Sequence, residues 1–77
     1  MSDRAYLDCR DLNCPMPIVK ISRAMKSMPK GAHLVVEASD PAFRADLEAW
    51  IDRMGFSLLE FEDGAVKRAL IKKAPPQ

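Results

Sequence analysis

The chain predicts an α/β fold, a two-layer sandwich in the order β-α-β-α-β-β with both helices on one face of a four-stranded sheet. Three patterns predict it. Period-two alternation opens the chain, two later stretches carry apolar residues at helical spacing, and Asp63-Gly64 separates two apolar segments near the end. Each helix has a single apolar stripe, so each can cover a sheet on one side only.

Ala5 to Cys9 alternates, with Ala5, Leu7 and Cys9 on one face and Tyr6 and Asp8 on the other, as a half-buried strand does. Arg10 to Asn13 form a polar connection. From Ile18 the apolar positions Ile18, Ile21, Met25 and Met28 recur every three or four residues, which predicts a helix from Pro15 to about Met28, closed by Pro29, Lys30 and Gly31. His33 to Ser39 is apolar on both faces and suits an interior strand. Asp40 then reads as a cap and Pro41 as the first residue of a second helix. Its stripe is Phe43, Leu47, Trp50, Ile51 and Met54, and Gly55 stops it. Ser57 to Glu62 and Ala65 to Lys73 flank Asp63-Gly64, which predicts an antiparallel hairpin with a tight turn. Residues 74–77 read as a frayed tail, so the single domain spans 1–77 with a core of about 5–73.

Bulk properties narrow the function. Twelve Lys plus Arg oppose eleven Asp plus Glu, a near balance that disfavours direct nucleic-acid binding. No apolar stretch is long enough to span a bilayer, and Met1, Ser2, Asp3 and Arg4 lack a signal peptide's apolar region, so the expectation is a cytoplasmic monomer. Two cysteines, Cys9 and Cys14, are in such a compartment more often chemical, metal-binding or buried than a structural disulfide.

Cys14 is the strongest chemical candidate. In Cys14, Pro15, Met16, Pro17 the prolines mark a helix start and place the sulfur at its cap, facing the positive end of the helix dipole. That position predicts a stabilised thiolate and a lowered pKa. Met16, between two prolines, is expected to project outward, where it could touch a partner, whereas Met25, Met28 and Met54 read as core.

The run Leu7, Asp8, Cys9, Arg10, Asp11, Leu12, Asn13, Cys14, Pro15, Met16, Pro17 resembles the signature of TusA/SirA-like sulfur carriers, whose hallmark is a CPxP motif. Asp40 and Pro41 before the second helix, Gly55 after it and the closing hairpin extend the similarity over roughly residues 6–73. The resemblance implies a mixed sheet. It also implies a cysteine, here Cys14, that carries sulfane sulfur as a persulfide from a donor of the cysteine desulfurase or rhodanese type to an acceptor protein, in tRNA thiolation or sulfur oxidation. The family usually has a glycine three residues after the aspartate of its opening strand, and this chain has Asp11 there. Aspartate accepts unusual backbone angles better than most residues, so the loop is expected to persist.

Other residues carry lesser readings. Cys9 shares the inward face of Leu7 and reads as core, with a second-thiol role as the alternative, since four residues separate it from Cys14. A metal site of Cys9, Cys14 and His33 lacks the ligand count of a closed zinc site, so no metal and no cofactor is expected. Lys20, Arg23, Lys26 and Lys30, extended by Arg10, form a basic helix face suited to partner docking or simply to solvation. Two rival functions remain. One is a non-catalytic regulatory interaction module, and the other is a thiol redox switch pairing Cys9 with Cys14.

Overall fold

Six elements form in the expected order: β1 Arg4–Cys9, α1 Met16–Lys26, β2 His33–Ala38, α2 Phe43–Met54, β3 Ser57–Glu62 and β4 Lys67–Lys72. The computed structural model describes residues 4–75, so the expectations for Met1, Ser2 and Asp3 and for the last two tail residues, Pro76 and Gln77, lie outside the described residues. The sheet runs β1-β2-β4-β3, with β1 parallel to β2 and the other neighbours antiparallel. This is the mixed sheet of the α/β sandwich.

Register explains why the helices choose one face. Leu7, Val36, Ala69 and Phe61 form one row across the four strands, and Ala5, Leu34, Ile71 and Leu58 form the next. The core cluster joins Val36, Ala69, Leu34 and Ile71 of these rows to Ile21 and Met25 of α1 and Phe43, Leu47, Trp50 and Ile51 of α2; Leu7, Leu58 and Phe61 pack against it partly buried, and Ala5, expected to face inward, is exposed. Burying one such side chain contributes about 1.5–3 kcal/mol, which a domain this small needs. The opposite face shows Tyr6, Asp8, Glu37 and Arg68, with Tyr6 hydrogen-bonded to Glu37.

Several boundaries differ from expectation. The first helix stops at Lys26 rather than Met28. There Lys73 reaches across from the end of β4, and its Nζ donates to the carbonyls of Met25 and Met28, supplying a cation where the helix dipole is negative. The second helix starts at Phe43, with Ala42 as N-cap and no side-chain cap. Asp40 and Pro41 precede it, and the Phe43 N–H bonds the Asp40 carbonyl at 3.0 Å.

Met54 is not core: it is 47% exposed. Gly55, at φ +73°, turns the chain in the left-handed region, and the Phe56 N–H returns to the Ile51 carbonyl. Phe56 then packs edge-on against Trp50 at 5.6 Å. The hairpin loop is longer than a two-residue turn, because β4 begins at Lys67 and not Ala65, and Leu59 forms a bulge in β3. Ala74 is not frayed. Ser57 Oγ donates to its carbonyl at 2.7 Å.

Candidate functional site

Parallel pairing of β1 with β2 creates the site. Both strands end at one edge of the sheet, and the loops that follow them lie side by side. The loop after β1 holds Cys14, while the loop after β2 holds Asp40 and leads into α2, whose first turn carries Asp46. Ser39 ties the loops together. Its Oγ accepts the Asp11 N–H at 2.8 Å.

Asp11 occupies the left-handed region at φ +65°, the conformation for which glycine is favoured and which aspartate enters more readily than most residues. The loop thus carries an aspartate at a left-handed position. Beyond it, the Leu12 N–H bonds the Cys9 carbonyl at 3.3 Å, and the Met16 N–H bonds the Asn13 carbonyl at 2.8 Å across a turn whose Cys14–Pro15 peptide bond is cis. Pro15, not Cys14, is the N-cap of α1, and its carbonyl accepts the first helical bond, from Val19, at 3.1 Å. Cys14 therefore stands one residue outside the cap. Pro17 lies inside the helix and is fully buried, so this proline serves the core as well as the turn.

Cys14 is exposed and unpaired in any disulfide. Its acidity contradicts the expected lowering. Hydrogen bonding to the Asp46 side chain, then desolvation, then the negative charges of Asp46 and Asp40 push the thiol pKa up. The negative charges come from the neighbouring loop and helix, and the sulfur stands outside the cap residue of α1. Asp11, the acid nearest in sequence, is not among the groups acting on the sulfur. One oxygen of Asp40, Oδ2, is buried and has no hydrogen-bond partner among the described residues.

The basic residues divide. Arg10 is committed to Asp8 through Nε at 2.9 Å and Nη2 at 3.0 Å, a pairing that lowers the Asp8 pKa to about 2. Lys20 points to the Asp8 carbonyl at 3.5 Å. Arg23 and Lys26, both exposed, line a groove with Pro15, Ile18, Val19 and Trp50 that starts beside the Cys14 turn. Met16 is 44% exposed, as its position predicts. Cys9 is wholly buried, with Sγ 4.0 Å from the Pro17 carbonyl oxygen, and desolvation raises its pKa. His33 opens β2, and no group of three or more His, Cys, Asp or Glu among the described residues is placed to hold a metal ion.

Comparison with known proteins gives the family. Residues 5–73 match the family described as sulfurtransferase TusA. The chain belongs to the TusA family of sulfur carriers. Among relatives of this TusA-family chain, YrkI of Bacillus subtilis is 39% identical over 95% of the chain and 99% of its own length. The sulfur carrier protein TusA of Allochromatium vinosum is 38% identical over 88% of the chain and 91% of its own length. YrkF of Bacillus subtilis is 41% identical over 95% of the chain, which spans only 40% of that relative. The SirA-like protein of Desulfitobacterium hafniense shares the fold, with a TM-score of 0.77 at 20% identity over 91% of this chain and 97% of its own. No helix among the described residues is long and apolar enough to cross a membrane.

Within this TusA-family fold the residues that sequence reasoning missed are Asp40 and Asp46 as neighbours of the sulfur. Their signal was topological. A strand-helix-strand order with parallel β1 and β2 puts both following loops at one sheet edge, and the first acids after β2 fall there.

Proposed function

We propose that Cys14 accepts sulfane sulfur from a donor protein's persulfide and relays it, as its own persulfide, to an acceptor protein. The donor would be of the cysteine desulfurase or rhodanese type. The observation that carries this reading is the exposure of Cys14, in the CPxP turn of a TusA-family chain, while Cys9 is sealed in the core. In the loading step a lone pair of the Cys14 thiolate forms an S–S bond to the donor's outer sulfur. The donor's S–S bond breaks, and its electrons leave on the donor thiolate. The exchange is redox-neutral and needs no cofactor. A raised pKa leaves less thiolate but makes what forms intrinsically more nucleophilic, so sulfur uptake and alkylation speed need not rise together.

Docking would use the groove lined by Ile18, Val19, Arg23 and Lys26, with the exposed Met16 beside Pro15 in the chain and Lys20 and Arg10 as further basic residues. Cys9 has no exposed surface from which to meet a second sulfur, which leaves a Cys9–Cys14 redox switch without support.

Intact-mass measurement after incubation with a persulfidated sulfurtransferase tests the reading. The chain should gain one sulfur atom, and a Cys14→Ser variant should gain none. A Cys14→Ser protein that still loads sulfur would refute it.

A further inference from the structure

We propose that β1 is an association edge, on which a second copy of this chain pairs its own β1 antiparallel about a two-fold axis at Tyr6, continuing the sheet across both copies. The two edges of the sheet, β1 and β3, are built differently. β3 is interrupted by the bulge at Leu59, a common protection against pairing with another chain, whereas β1 keeps an unbroken register from Arg4 to Cys9 and contains neither proline nor glycine. Its outer side faces no strand among the described residues.

Cover is missing where a neighbour would supply it. Ala5 belongs to the core-facing row with Leu34 and Ile71, which are buried, yet Ala5 itself is exposed and Leu7 only half-buried. On the opposite face Tyr6 is 55% exposed, more than any other large hydrophobic side chain among the described residues.

Charge selects both the occupant and the register. Along β1 the residues run Arg4, Ala5, Tyr6, Leu7, Asp8, so the same strand turned end for end places Arg4 beside the partner's Asp8, Ala5 beside the partner's Leu7, and the two Tyr6 rings together. Each pair then lies on one face of the joined sheet. An axis at Arg4 or at Asp8 would instead oppose like charges. The surrounding charge is nearly balanced: Arg10 pairs with Asp8, Lys20 Nζ stands 3.5 Å from the Asp8 carbonyl at the outer limit of a hydrogen bond, and Arg68 lies in register between Glu37 and Glu62. The pair across the axis therefore sets the register, while backbone pairing and the cover of Ala5, Tyr6 and Leu7 hold the contact. The result is a weak two-fold dimer in place of the monomer expected from the sequence, and it is independent of Cys14 as the carrier.

Sedimentation equilibrium of the unaltered chain in reductant, from about 10 µM to about 1 mM, should show monomer and dimer in exchange. In a Cys14→Ser background, where the remaining native cysteine is buried, Tyr6→Cys should give a disulfide-linked dimer on mild oxidation with diamide, because directly opposed Cα atoms lie within disulfide reach. Arg4→Cys alone should not, since its copy stands about 13 Å along the partner strand, but mixed with Asp8→Cys it should. Leu59→Cys, on the bulged edge, should stay monomeric. A chain that sediments as monomer throughout overturns the proposal whatever the variants do, and so does a dimer that Leu59→Cys traps and Tyr6→Cys does not. A monomer whose Tyr6→Cys links only to an added cysteine-bearing extended peptide would assign the edge to a foreign strand and overturn the self-pairing.

Discussion

Cys9 and Ala38 are the last partners of the parallel β1–β2 ladder, and the chain leaves both residues in the same direction. One departing segment reaches the exposed Cys14, and the other reaches Asp40 and then Asp46. The sulfur and the acids that act on it meet because these two strands are parallel. An antiparallel pair would send the loops to opposite edges.

The first prediction concerns the thiol. A carboxylate beside a thiolate favours the neutral form, so the pH profile of iodoacetamide alkylation at Cys14 should be displaced upward from that of an unstructured peptide. Asp46→Asn should move the inflection down. By linkage, a thiol pKa raised in the folded state contributes stability that is present below the unfolded pKa and lost as pH rises through the folded one. An inflection below the peptide's would contradict the geometry described.

Core and rim of α2 should respond differently. Leu47 is completely buried, and Leu47→Ala should cost about 2–5 kcal/mol in denaturant unfolding. Met54→Ala, at an exposed position on the same stripe, should stay within about 0.5 kcal/mol.

Backbone conformation gives a third pair. Gly55 has φ +73° with no atom within 4 Å of a Cβ placed there, so Gly55→Ala should cost about 1 kcal/mol through backbone strain alone. Asp11, at φ +65°, presents the reverse case. Asp11→Gly should leave stability unchanged or raise it by up to about 1 kcal/mol, whereas Asp11→Val should lower it, because a β-branched residue resists that conformation.

The order of elements, the interior place of β2 and the one-sided helices were legible in the sequence because alternation and helical spacing report directly which face is buried. Helix ends were less so. Lys73, beyond β4, bonds the carbonyls at the end of α1, and Phe56 packs on Trp50 while Met54 stays exposed, so both ends depend on residues that meet only in the finished fold. The site shows the same division. Cys14, its prolines and the outward Met16 could be read from local spacing, but the sign of the thiol's pKa shift could not. It is set by Asp46, thirty-two positions away in sequence and adjacent only through the pairing of β1 with β2.

The most direct test locates the sulfur. The chain is loaded from a persulfidated donor, free thiols are blocked, and peptides are fragmented by mass spectrometry before and after an acceptor thiol is added. The account predicts one extra sulfur on the Cys14 peptide, none on Cys9, and its loss to the acceptor. Sulfur found on Cys9, or a Cys14 peptide that never gains it, would contradict the account.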